Sequence, residues 1–276
     1  MGELSGHVAL VTGGGRGIGR SAAVALADAG AAVAVAARTA TQLHRVAHRI
    51  TDAGGVARAL MVDVNDVGAV QRAVRSVERE LGPITLLVNN AGNPTAVGPL
   101  SGVDPKSWWR TIETHLHGTF TCIRTVLPGM IDHNQGRIIN VASLLGTRAA
   151  PFVSDVAVAK AAIIRLTECL AEELTTTAVT VFSIGPGLVR TEMIEDLQHR
   201  AEGRRWLPEL QEFPDDAFIP PERPADLIVR LALGEADRLT GRFVTVRDDL
   251  DRLIEEADQI VRADALTLRL RPWPPE

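Results

Sequence analysis

The stretch HVALVTGGGRGIG, residues 7–19, decides the fold. The run HVALV at 7–11 carries consecutive apolar residues with no polar alternation, which predicts a short strand covered on both faces. Thr12 to Gly19 then places five glycines in eight residues, and a helical pattern opens at residue 17. Glycine lets a backbone approach phosphate closely, and the start of a helix offers unpaired N–H groups at the positive end of its dipole. A strand, a glycine turn and a helix together form the pyrophosphate site of a bound dinucleotide. Gly13, Gly15, Arg16, Gly17, Ile18 and Gly19 are candidate cofactor contacts.

Working outward, the same rhythm continues. Apolar runs at 32–36, 57–62, 84–88, 137–142, 179–184 and 242–246 read as strands, and patterns near 40–53, 66–81, 104–132, 154–175 and 224–233 read as helices. Regular alternation predicts an α/β protein, a parallel sheet with helices on both faces. Residues 185–222 interrupt it with Pro186, Pro208, Pro214, Pro220 and Pro221 and the charged cluster HRAEGRR at 199–205, and are expected to form a lid with short helices. An acidic helix at 248–262 and an extended, proline-rich tail to residue 276 are expected to close the chain. No repeat or low-complexity linker divides residues 1–276, so one domain is expected.

Composition limits the function classes. Apolar residues make up 46% and charged residues 23%, which is ordinary for a globular chain and speaks against disorder. A net charge of −5 is unsuited to gripping a phosphate backbone, so no nucleic-acid partner is expected. The longest apolar runs are far below a bilayer span, and no basic segment with a following apolar run opens the chain. No membrane association and no signal peptide are therefore expected. Cys122 and Cys169 read as buried thiols of a reducing compartment, consistent with a cytoplasmic location. His44 and His48 have metal-compatible spacing but no third ligand, so no metal is expected. Glu168, Glu172 and Glu173 are expected to form a charged surface.

The second predicted strand ends at Ala36-Ala37-Arg38 without an acid. A carboxylate there would accept hydrogen bonds from a ribose 2′-hydroxyl, as NAD(H) requires, whereas arginine pairs with a 2′-phosphate. Arg38, with Arg16 nearby in the turn, favours NADP(H) over NAD(H).

Further segments follow in order. Asp63-Val64 follows the third strand, and Asn89-Asn90-Ala91-Gly92 follows the fourth. Asn140 to Ser143 ends the fifth, Lys160 stands in AKAA, and Pro186-Gly187 precedes Val189 and Thr191. Their order and spacing over residues 5–247 resemble the classical short-chain dehydrogenase/reductase family. The resemblance implies a single-domain, doubly wound, seven-stranded Rossmann sheet and a homodimer or homotetramer formed through the two long central helices. It implies that Asp63 and Val64 contact adenine and that Asn90, Ala91 and Gly92 line the cofactor groove. It places Pro186, Gly187, Val189 and Thr191 at the nicotinamide end, Ser143 at the catalytic serine, and Lys160 on the nicotinamide ribose.

Two positions depart from the family pattern. The family's catalytic helix carries a tyrosine four residues before the lysine, on the same helical face. Here that residue is Val156, and the chain contains no tyrosine. The family's asparagine in the preceding helix is replaced by His115. Lys160, by contrast, is one of only two lysines among 29 Lys and Arg residues, which favours a retained task.

The expected function is NADP(H)-dependent oxidoreduction of a carbonyl or alcohol on an apolar small molecule, with an altered proton donor. His115 and an acidic group of the substrate are the candidate donors, and a packed helix histidine is the competing reading of His115. Ser143, Val156 and Met193 are expected to line the substrate pocket, with Phe152, Val153, Trp206 and Phe213 contributing bulk. Two alternatives stay open. One is a non-redox cyclase, isomerase or dehydratase on the same scaffold, and the other is a catalytically silent cofactor-binding protein.

Overall fold

A computed structural model describes residues 2–270. Its centre is a seven-stranded parallel sheet in the order β3-β2-β1-β4-β5-β6-β7. The strands are β1 (Val8–Thr12), β2 (Ala32–Ala37), β3 (Ala57–Met61), β4 (Leu86–Asn89), β5 (Gly136–Val141), β6 (Val179–Gly185) and β7 (Phe243–Thr245). This is a doubly wound Rossmann sheet. The chain runs outward from β1 through β2 to β3, then crosses back to place β4 on the other side of β1. Beyond the carboxyl ends of β1 and β4 this reversal opens a crevice, the position at which such sheets bind ligands.

The lack of polar alternation in the strands has a simple cause. Ala9, Val11, Val33 and Val35 pack on one face with Leu26 of α1 (Gly17–Asp28), Leu43 of α2 (Ala40–Asp52) and Ile228 of the helix over 222–232. Val8, Leu10, Ala34 and Ala36 pack on the other face with Val74 of α3 (Val67–Leu81). Both faces are therefore dry. At about 25 cal/mol per Å2 of apolar surface removed from water, this two-sided burial is the main driving force for the fold.

The long helix expected over 104–132 is divided. Residues Pro105–Ile112 form α4 and Gly118–Asp132 form α5, with a π-helical turn over Glu113–His117 between them. Thr111, Thr114 and Thr119 return their hydroxyls to the carbonyls of Ser107, Arg110 and His115, which competes with regular helical bonding. Gly118 also lies so close to β3's outgoing loop that a Cβ there would stand 2.5 Å from Val64 Cγ2. π turns of this kind recur at functional positions, and this one carries His115.

Helix α6 (Ser154–Glu173) follows β5. Residues 185–222 contain three short helices, α7 (Glu192–His199), α8 (Ala201–Trp206) and α9 (Glu209–Glu212). Helix α10 (Glu222–Ala232) follows, and the expected acidic helix is two pieces, α11 (Leu250–Glu255) and α12 (Ala257–Arg262), separated at Glu256. Most of the expected extended tail lies outside the described residues. No described helix is long and apolar enough to cross a membrane.

Two sequence expectations are corrected. Glu168 is not part of an exposed charged face: it is 7% exposed, pairs with Arg165 and Arg269, and accepts the Leu268 N–H at 2.7 Å. The C-terminal segment folding back over α6 covers it. Cys169, the next residue round the helix, is exposed, so only Cys122 is a buried thiol.

Candidate active site

The glycine turn is built by close approaches that a side chain would block. Gly13 has φ +64, and a Cβ there would lie 2.8 Å from Asn90 Nδ2. At Gly19 a Cβ would lie 2.3 Å from the Gly13 carbonyl oxygen, so Gly19 tightens the turn from beneath rather than facing the crevice. Helix α1 starts without a side-chain cap and without an acid in its first turn. Its leading N–H groups are left for an incoming anion.

Asn89 and Asn90 divide the bracing of β4. Asn89 Nδ2 donates to Asn140 Oδ1 at 2.9 Å, and Asn140 Nδ2 donates to Thr167 Oγ1 at 2.9 Å, tying β4 through β5 to α6. Asn90 Nδ2 donates to the carbonyls of Thr12 and Gly13 at 3.1 and 3.2 Å. Thr12, which the sequence reading passed over, accepts the N–H groups of Asn90 and Ala91 on its hydroxyl at 3.0 and 3.1 Å. The glycine turn and the Asn90 loop are thereby locked edge to edge.

Between them lies a cavity of about 430 Å3. Gly13, Gly15, Arg16, Gly17 and Ile18 line it from the glycine turn, and Arg38, Asp63 and Val64 line it from the ends of β2 and β3. Asn90, Ala91 and Gly92 after β4, and Pro186, Gly187, Val189 and Thr191 after β6, also line it. Ser143, Val156, Lys160, His115 and Met193 line the same cavity. The structure thus gathers into one crevice residues spread from position 13 to position 193. Among the described residues Arg38 has no ion pair, while Arg16 Nη1 lies 2.7 Å from Glu192 Oε2 of α7. Phe152 and Trp206 do not line the crevice but stack on each other, centroids 5.0 Å apart, and Val153 is buried at the start of α6.

Lys160 is buried in the crevice wall, with Nζ donating to the Val141 carbonyl oxygen at 2.6 Å. Burial lowers its ammonium to about 8. Ser143 Oγ accepts the Leu145 N–H at 3.1 Å, which fixes the hydroxyl at the end of β5. His115 packs its ring against Gly92, where a Cβ would lie 2.6 Å from Cε1. Its Nε2 sits 3.3 Å from both the N–H and the carbonyl oxygen of Asn93, and its Nδ1 is buried with no hydrogen-bond partner among the described residues. Burial, then the Lys160 charge, pulls His115 down to about 3, so the ring is neutral near pH 7. Asp155, beside Val156, turns away from the crevice and is fully buried, accepting from Thr95 Oγ1 and from the Ala96 N–H at 2.7 Å. It moors the loop after β4 to α6.

A family profile described as short chain dehydrogenase matches residues 7–202, well over half of the chain. The chain belongs to the short-chain dehydrogenase/reductase family. It is 36% identical over 270 residues to a short chain dehydrogenase of Pseudocercospora fijiensis, covering 94% of this chain and 86% of that one. It is 36% identical over 234 residues to an acetoacetyl-CoA reductase of Paracoccus denitrificans, covering 85% and 93%. A crystal structure of a short-chain type dehydrogenase/reductase from Mycobacterium marinum superposes with a TM-score of 0.79 at 33% identity, covering 88% of this chain and 94% of that one.

Short-chain dehydrogenase/reductases are oxidoreductases that use nicotinamide cofactors. The crevice passes a structural test for such a group: an uncapped helix start, glycines whose Cβ atoms would collide with the facing loop, and an arginine at the end of β2 without a carboxylate partner among the described residues. Val156 supplies no proton, and His115 is a neutral imidazole.

Proposed function

We propose that the protein is an NADP(H)-dependent oxidoreductase that interconverts a carbonyl and an alcohol on an apolar small molecule, without the family's tyrosine. The observation that carries this reading is Lys160, a rare lysine buried in the crevice wall with one protein partner and two remaining N–H donors. Arg38 and Arg16, with no acid at the end of β2, support NADP(H) over NAD(H).

The bound cofactor supplies or accepts the hydride. The chain's own part is binding, orientation and proton supply. Gly13, Gly15, Gly17, Ile18 and the start of α1 take the pyrophosphate, Arg16 and Arg38 take the 2′-phosphate, and Lys160 holds the ribose. Ser143 orients the substrate oxygen, while Val156 and Met193 present an apolar wall. A neutral imidazole releases a proton only by becoming an anion, so His115 positions Asn93 and its loop rather than acting as the acid. Lys160, an ammonium whose burial brings it close to neutral pH, supplies the proton through water in the space Val156 leaves. A substrate carrying its own acidic hydroxyl would use the same space. The lid over 185–222 sets the outer pocket through Met193.

Val156 also favours a second reading, a non-redox enzyme in which the cofactor is structural. Exposed Trp109, Phe120 and Val158 on α4, α5 and α6 support a homodimer or homotetramer through these helices, which light scattering on the purified protein tests.

Calorimetric titration with NADPH and NADH tests the cofactor reading. Micromolar NADPH binding with weaker NADH binding is expected, and binding of neither would end the redox proposal. Product formed without matching NADPH consumption would replace it with the non-redox one.

A further inference from the structure

Arg16 and Glu192 are 176 residues apart, yet their side chains close over the crevice at 2.7 Å. Arg16 is the last residue before α1, in the glycine turn. Glu192 is the first residue of α7, the opening helix of the lid. A second approach lies beside the first: a Cβ on Gly17 would stand 3.2 Å from Thr191 Cγ2. The lid therefore rests on the glycine turn at two neighbouring points, and one of them is an ion pair.

Glu192 is one of two carboxylates that line the crevice. The other, Asp63, accepts the Asn65 N–H and lies after β3. Arg38, the second arginine of the crevice, has no carboxylate partner among the described residues, so Glu192 acts on Arg16 alone. Both members of the pair are partly exposed, at 42% and 59%. Such pairs are weak and a stronger anion replaces them. A phosphate monoester carries more charge than a carboxylate and takes arginine in a bidentate grip.

We infer that Glu192 is the resident anion of the Arg16 half of the 2′-phosphate site, a lid carboxylate that NADP(H) must displace and NAD(H) need not. Glu192 is thus a specificity-determining residue that holds back the phosphorylated cofactor and couples its entry to the lid. This rests on the NADP(H) reading above.

Calorimetric affinities of NADPH and NADH for the wild-type protein, Glu192→Gln, Arg16→Gln and the double variant test it. Glu192→Gln is expected to tighten NADPH by about two- to five-fold at low salt, the range of an exposed ion pair, and to leave NADH unchanged. In the Arg16→Gln background the same substitution is expected to have no effect, because the coupling passes through the guanidinium. Glu192→Asp, which keeps the charge, is expected to bind as wild type. Equal tightening of both cofactors, no change, or weaker NADPH binding in Glu192→Gln overturns the inference while the NADP(H) reading stands. Absence of NADPH binding to the wild-type protein overturns both.

Discussion

Val156 and Lys160 lie one helical turn apart on the same face of α6, and both line the crevice, yet only Lys160 brings a polar atom to it. Its Nζ is anchored on the Val141 carbonyl oxygen at 2.6 Å, so the lysine is held in position while the residue one turn before it offers no proton.

Val156→Tyr restores a phenol next to that ammonium. Because a positioned general acid contributes about 10²–10⁴-fold, NADPH-dependent reduction of a generic ketone is expected to rise by a factor in that range. Val156→Phe fills the same volume without a hydroxyl and is expected to give no rise. An equal effect from both substitutions would assign the gain to shape rather than proton transfer.

His115 makes the protein acid-sensitive. Its folded-state value, about 3, lies below the ordinary 6.5, so the unfolded chain binds the extra proton between those limits. Stability contributed by the neutral ring is present above pH 6.5 and lost as pH falls through that window. Between pH 6.5 and 5 the loss amounts to about 2 kcal/mol. His115→Asn removes the titration, so urea unfolding at pH 7 and pH 5 should show the wild-type protein losing more stability than the variant. Parallel losses would mean that the ring is protonated in the folded state.

The elements of the sheet and the glycine turn were legible because their causes are local: apolar runs, glycine spacing and helix starts within a few residues. The features the sequence concealed depend on distant partners. Glu168 lies on a polar-looking helix face, and only Arg269 and Leu268, about a hundred residues on, bury it. The π turn packs Gly118 against Val64 and His115 against Gly92, residues distant in the sequence. Arg16 stands in a legible glycine turn, but its partner Glu192 was not legible, since nothing in the lid's sequence shows where α7 docks.

The two thiols separate chemically. Cys122 is buried, and burial pushes it up to about 12, while Cys169 is exposed. A thiolate is the reactive form, so a thiol reagent at pH 8 is expected to label one cysteine in the native protein and both after denaturation. Peptide mapping should place the native label on Cys169. Rapid native labelling of Cys122 would mean that α5 opens far more readily than its burial implies.

Gly92 and His115 form one packing unit. A methyl group at residue 92 would stand 2.6 Å from Cε1 and 3.1 Å from Nε2 of the imidazole, so Gly92→Ala must move the ring away from Asn93. The buried Asn93 contacts at 3.3 Å would be lost, and overpacking of this kind costs about 1–3 kcal/mol. The cost should fall on the ring and not on the backbone. Gly92→Ala in a His115→Ala background, where the three atoms nearest the methyl are gone, is therefore expected to be much milder than in the wild-type protein. Thermal or urea unfolding of the four proteins in this cycle measures the coupling. Additive effects would show that the loop after β4 is held by Thr95 and Asp155 alone and that His115 leaves its position unaffected.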